Sequence, residues 1–413
     1  MGLDEIPLLL ALVGLTAYAV LGGADFGAGT WQLLSGRGPR GARIREHAHE
    51  AMAPVWEANH VWLIFVLVVM WTCYPVAFGS IVSTLSIPLF VAAIGIIFRG
   101  TSYALRAGTS QSRELRTIDA VFGVASLLTP FALGTVIGAI ADGRVPVGNA
   151  AGDLWTSWTG PLSLMIGVLA VATGAYLAAV YLAADAVRRD DEEMERAFRV
   201  RALGAGVVAG GLAVAGLVVL EDAAHDLYEE IVSGSALPAL VVSALGGLGT
   251  LALVWTRRYE WARYSAALAV AAIVAGWALA QQPELLPGLT VSEAAAGDDT
   301  MIAVIVSVAA GALVLGPSLA LLFTLTLRGR LGYEEDAAGA PTASVPVRAL
   351  EAVRTGLLAR VSIACLLVTL GFLTIADAGW AHAIGVIALV ACVITGFRAA
   401  VPVEPEAPSD RTA

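Results

Sequence analysis

Residues 6–34 read IPLLLALVGLTAYAVLGGADFGAGTWQLL, a long apolar run interrupted by one charged side chain, Asp25. As a helix rising about 1.5 Å per residue, the run exceeds the roughly 30 Å hydrocarbon core of a bilayer. It predicts a membrane-spanning helix. A central Asp costs about 2.5–3.5 kcal/mol on insertion scales, so it ordinarily faces a partner, water or a proton path. Gly22 and Gly29 lie at i−3 and i+4 from Asp25. A groove of missing side chains therefore flanks the carboxylate, where another helix can approach closely. Arg37 follows about a dozen residues later, roughly 18 Å along the axis. A purely structural Asp, hydrogen-bonded to a neighbouring helix, competes with a functional one.

The whole chain has the same character. Of its 413 residues, 58% are hydrophobic and 14% charged, against about 45–50% and 25% in soluble domains. Apolar spans fall near 6–34, 55–74, 79–98, 118–140, 160–184, 202–220, 237–255, 264–281, 301–326, 356–376 and 379–397. The expected fold is an all-α polytopic membrane protein with 11 transmembrane helices. Arginines cluster on one side, at 37–45, 99–116, 188–201, 257–263 and 328–330, and only Arg144 clearly opposes them. The positive-inside rule makes that side cytoplasmic. The N-terminus is then outside and the C-terminus cytoplasmic. Asp4 and Glu5 stand where a signal peptide would carry basic residues. Cys73, Cys365 and Cys392 lie in apolar runs with neither metal spacing nor a disulfide framework. Nothing in the chain points to nucleic acid.

A second polar cluster opens the second span: residues 53–63, APVWEANHVWL. Pro54 suits a first helical turn. Glu57 and His60 share one face, Trp56 and Asn59 the next, and Trp62 follows. The plain reading is an aromatic belt with Glu57 reaching the headgroups. A di-iron site is a poor fit. Glu46 with His49 and Glu57 with His60 have the Glu-x-x-His spacing, yet they lie too close in sequence to face each other across a bundle.

These motifs carry a resemblance. GGADFGAG at residues 22–29 and PVWEANHVWL at residues 54–63 are similar to the first- and second-helix signatures of cytochrome bd quinol oxidase subunit II. Phe98-Arg99 closing the third span and TPFALG at 129–134 fit the same pattern. Weaker echoes are GPL at 160–162, GAYL at 174–177 and LTV at 289–291. The resemblance covers residues 1–335 and implies a nine-helix membrane domain. It also implies a subunit I partner holding two haems b, one haem d and the quinol site, with quinol and dioxygen as substrates of the complex in the bacterial cytoplasmic membrane. No cofactor is expected in this chain, while a bound quinone or lipid stays an open alternative. Asp25 and Glu57 would carry protons from the cytoplasm. Gly22, Gly29, Trp56, Asn59, His60, Trp62 and Arg99 would hold the subunit together or to its partner. For Arg99, the expected partner is a headgroup or Glu57. Gly22 and Ala104 stand where some relatives carry further acids.

A rival reading is an ion-coupled secondary transporter with Asp25 as the coupling-ion site. It would need a second broken helix with a buried acid. Gly210-Gly211 and Gly246-Gly247 lie in the matching half, but no acid accompanies them. Residues 336–413 fall outside the resemblance. They comprise a polar linker, a two-helix transmembrane hairpin turning near Asp377, and an acidic Pro-rich tail. Small single-helix accessory subunits flank the core in this family, and the hairpin could take such a place.

Overall fold

The computed structural model describes residues 2–52, 56–108, 112–327, 357–374 and 379–400. The linker, the hairpin turn at 375–378, the tail and Pro54 lie outside the described residues, as do the side chains of Trp56, Glu57 and His382. Described residues up to Leu322 form one compact unit and those from Phe323 another.

The first unit is a helical membrane body. Its elements are α1 (Ile6–Leu33), α2 (Pro39–Met52), α3 (Trp56–Cys73), α4 (Pro75–Thr84), α5 (Ser86–Gly108), α6 (Ser112–Ala141) and α7 (Pro161–Arg188). There follow α8 (Glu192–Ala223), α9 (His225–Val232), α10 (Leu237–Trp255), α11 (Tyr259–Gln281), α12 (Val291–Ala294) and α13 (Asp298–Leu327). A small antiparallel hairpin, β1 (Glu284–Leu286) and β2 (Leu289–Thr290), turns at Gly288 with φ 71°. Thr290 then opens α12 with a capping box: its hydroxyl accepts from the Glu293 N–H, and the Glu293 carboxylate accepts from the Thr290 N–H.

Among the described residues, eight helices are long and apolar enough to cross a membrane. The all-α polytopic class is therefore as expected, with differences in detail. The expected third span, 79–98, is broken. α4 ends at Thr84 and α5 begins at Ser86. Pro88 explains the break: it has no N–H to give to Thr84, and its ring crowds that carbonyl. The apolar stretch of α3, residues 59–73, is shorter than a full span.

Residues 37–52, read from sequence only as an arginine-rich surface, contain α2. Ile44, His47 and Ala48 are buried at i, i+3 and i+4, the stripe of an amphipathic helix. Ion pairs tie it across the arginine-rich end of the bundle. Arg43 meets Asp191 at 2.7 Å, and Glu50 meets Arg189. His47 Nε2 lies 3.0 Å from the Leu182 carbonyl. Asp191 also caps α8, accepting from the N–H groups of Glu193 and Met194. These N–H donors, the Met194 bond foremost, hold its carboxyl below the ordinary Asp value.

The glycine-rich half of α1 is clasped between α6 and α7, while its N-terminal half lies on α3. Small residues allow it. A Cβ on Gly27 would sit 1.9 Å from the Gly174 carbonyl oxygen of α7. Likewise a Cβ on Gly134 of α6 would come 2.8 Å from Gly167 Cα of α7. Lipid supplies no hydrophobic drive between helices, so close backbone approach and hydrogen bonds do this work. Trp31 Nε1 adds one, donating to the Ala175 carbonyl at 2.8 Å.

In the second unit, α14 (Leu357–Thr374) and α15 (Gly379–Ala400) pack side by side. Ser362 donates to the Cys392 carbonyl at 3.0 Å, and Thr369 reaches the Gly385 carbonyl at 3.4 Å.

Candidate functional site: a buried ion pair at a π turn

Asp25 and Arg99 meet inside the bundle, both at 0% exposure. Arg99 Nη2 donates to Asp25 Oδ1 at 2.5 Å and to the Asp25 backbone carbonyl at 2.9 Å. Its Nη1 donates to Ser126 Oγ of α6, and Ser126 in turn donates to the Phe122 carbonyl at 2.7 Å. Three helices, α1, α5 and α6, are thereby joined through one guanidinium. Aromatic rings enclose the cation: Phe122 at 4.3 Å, Phe26 at 4.9 Å and Tyr103 at 5.9 Å from Arg99 Cζ. Such faces attract a desolvated cation by about 2 kcal/mol each at best.

The backbone around Asp25 is shaped for this. Tyr18–Gly22 is a π turn inside α1, a widened turn that often marks functional positions. Its Leu21 carbonyl accepts from Asn59 Nδ2 of α3 at 3.3 Å. Asn59 is buried, and His60 beside it stacks on Phe26 at 5.8 Å and lies 6.2 Å from Tyr18. The cluster at the start of α3 thus fastens α1 at the π turn.

Among the described side chains, each one singled out in the sequence has a definite place. Arg99 is fully buried and meets Asp25 in the core rather than lipid headgroups; the Glu57 side chain lies outside the described residues. The close helix approach near Asp25 is made at Gly27 rather than Gly22. Gly22 instead makes room for Tyr18 of its own helix, whose ring a Cβ would meet at 2.9 Å. Gly29 is required by the ion pair itself, because a Cβ there would collide with Ser126 and come 3.0 Å from Arg99 Nη1. Trp62 is 37% exposed on the outside of α3. Glu46 is drawn to Arg106 at 3.2 Å and His49 stacks on Tyr103 at 5.1 Å.

Sequence reading singled out Asp25 and Arg99 separately and did not join them. The signal was available: two opposite charges, each alone in an apolar span, each near the arginine-rich end. Helical periodicity cannot join them, because 74 residues separate the two.

Known proteins resemble this chain over most of its length. The family profile described as cytochrome bd terminal oxidase subunit II matches residues 3–326. The Escherichia coli K12 protein named cytochrome bd-I ubiquinol oxidase subunit 2 is 26% identical over 316 residues, covering 69% of this chain and 82% of that one. The Bacillus subtilis 168 cytochrome bd ubiquinol oxidase subunit 2 is 24% identical over 141 residues, 34% of this chain and 41% of its own. A solved chain of the bd oxidase from Geobacillus thermodenitrificans superposes with a TM-score of 0.66 at 25% identity, covering 79% of this chain and 99% of that one. The fold and the matched span define an integral membrane subunit of an oxidoreductase complex. The chain belongs to the cytochrome bd terminal oxidase subunit II family.

Removing one member of a buried pair strands the other. Arg99→Ala is expected to destabilise the fold by about 3–5 kcal/mol. Thermal unfolding of the purified membrane protein checks this, and a midpoint unchanged from wild type would contradict it.

Proposed function

We propose that this chain is the haem-free subunit II of a quinol:oxygen oxidoreductase. In this reading it stabilises a haem-bearing subunit I and carries protons from the cytoplasm toward the oxygen-reduction site. Quinol and dioxygen are the substrates of the complex. The observation that carries the reading is Asp25: a carboxylate completely buried in a membrane helix, held by one cation, with its second oxygen Oδ2 lacking a protein partner. Glu57 is the second proposed carrier, two residues before Asn59 in sequence and outside the described side chains.

Haem iron takes His, Cys, Met or Tyr ligands, and the described histidines have contacts within this chain. His47 is engaged by the Leu182 carbonyl and lies 4.0 Å from Asp185. His49 and His60 are stacked on Tyr103 and Phe26, and His225 lies 3.5 Å from Glu229. No cluster of three or more His, Cys, Asp or Glu able to hold a metal occurs among the described residues. The reading assigns the haems to the partner.

Arg99 also weighs against the transporter reading. A coupling cation needs the Asp25 charge, and the guanidinium already takes it. Gly210 and Gly211 lie in the unbroken α8, Gly246 and Gly247 in the unbroken α10.

For topology, we infer that α3, α14 and α15 cross the bilayer together with the eight longer helices. That makes eleven spans, the arginine-rich side cytoplasmic. The nine-helix body then occupies residues 1–335, and 336–413 form a C-terminal extension. A reporter active only in the cytoplasm, fused after Ala413, is expected to be active; activity only from a reporter that needs export would refute the arrangement.

Asp25→Asn keeps the shape and removes the exchangeable charge. Quinol-driven oxygen uptake per haem is expected to fall by about 100-fold, the lower range for a positioned proton-transfer group. Oxygen uptake and proton uptake equal to wild type would defeat the proton role.

A further inference from the structure

A small polar pocket lies between α1, α2, α5 and α6 at the arginine-rich end. Its lining includes Gln32, His49, Ser102, Tyr103, Arg106 and Asp119, and it holds about 10 Å³, room for a single water. None of these residues takes part in the ion pair. Two walls are nevertheless shared with it. The Tyr103 and Phe122 rings that line the pocket are the rings standing 5.9 Å and 4.3 Å from Arg99 Cζ. Gln32 lies on α1 itself, two turns or about 10 Å beyond Asp25 toward the arginine-rich end.

We propose that this pocket is the cytoplasmic inlet for protons bound for Asp25, with Asp119 and His49 at its mouth and Gln32, Ser102 and Tyr103 along its inner wall. The proposal rests on the reading of Asp25 as a proton carrier and names where its protons come from.

The chemistry suits the task at each level. At the mouth, the Asp119 carboxylate is partly open to solvent, and it is held by Arg106 and, at 3.9 Å, by Arg45. The same Arg106 reaches Glu46 of α2 at 3.2 Å, so the cation bridges two acids at the surface. His49 is half-buried between α2 and Tyr103. Burial first, and the Arg106 charge second, hold its imidazole below the ordinary His value. At neutral pH it is a neutral ring that accepts a proton on one nitrogen and releases one from the other. Deeper in, the Gln32 amide is 3% exposed and its Nε2 has no protein partner. A buried amide of that kind normally bonds to something, and the pocket beside it is polar and of the right size for water. Ser102 donates to the Phe98 carbonyl at 2.7 Å, leaving its oxygen lone pairs to accept. Each transfer along this wall makes and breaks only O–H or N–H bonds. The protons are consumed with the quinol's electrons when dioxygen becomes water in the complex.

The apolar surroundings of the Arg99–Asp25 pair give a reason for an inlet of this kind. Phe26 and the α6–α7 contact flank the site on other sides, so a proton needs a polar wall to reach it. Such a wall is found where α2 lies across the bundle end, and α2 is tied down there by Glu46, Glu50, Arg43 and Arg45.

The test uses the assembled oxidase with quinol as reductant. Ser102→Val fills the pocket with methyls, and Asp119→Asn removes the charge at its mouth. Each is expected to lower kcat by about fivefold or more while KM for quinol and haem absorbance stay at wild-type values. Asp119→Glu, which restores the carboxylate, is expected to recover most of the rate. A merely structural role for Asp119 would instead lower haem content or thermal stability along with the rate, and Glu would rescue neither selectively. Should Asp119→Asn fail to assemble, Ser102→Val decides, since it alters no ion pair. Unchanged kcat in Ser102→Val alongside an impaired Asp25→Asn would overturn this inlet and leave the proton role of Asp25 standing. Unchanged kcat in Asp25→Asn as well would overturn both.

Discussion

A guanidinium and a carboxylate sealed from water must find each other, and much of this fold is arranged so that Arg99 and Asp25 do. Moving either ion alone into the interior costs several kcal/mol even after relaxation. Their attraction offsets that only with good geometry and with the remaining hydrogen-bonding capacity satisfied. Hence the local design: Gly29 leaves space for Ser126 and the guanidinium, the Asp25 carbonyl takes a second Nη2 bond, and three aromatic rings face the cation. The π turn belongs to the same arrangement, since Asn59 holds its Leu21 carbonyl from α3.

Close backbone packing extends this order outward. Gly27 on Gly174 and Gly134 on Gly167 bring α1, α6 and α7 together at distances no larger residue allows. Arg99 then carries α5 into the same assembly. On the arginine-rich end, α2 closes the bundle with Ile44, His47 and Ala48 turned inward and its charges paired along the rim. A buried charge pair lies below a charged rim, and the Tyr103 and Phe122 rings beside the pair also line a pocket at that rim. That is a useful layout for moving protons while excluding bulk water.

Much of this architecture was legible in the sequence, because long apolar runs have one cheap solution in lipid. The membrane class, most spans and the importance of Asp25 followed from that alone. The break between α4 and α5 was also signalled, by Pro88, but the apolar run around it masked the signal. The helix α2 was hidden for the opposite reason: its arginines and glutamates dominate the composition, and the Ile44, His47, Ala48 stripe is narrow. The partner of Arg99 could not come from periodicity at all. It came from the requirement that a buried charge be compensated, a constraint on the whole fold rather than on any window of sequence. The packing role of Gly27, not Gly22, likewise depended on which face of α1 the π turn presents to α7.

An ion pair that organises the fold must show coupling between its members. Thermal unfolding of the assembled complex carrying Asp25→Asn, Arg99→Gln, and both together measures it directly. The expected result is non-additive: each single change costs stability by stranding the other charge, and the double variant regains about 2–3 kcal/mol relative to their sum. Strictly additive losses would contradict the claim that these two residues stabilise the protein through each other.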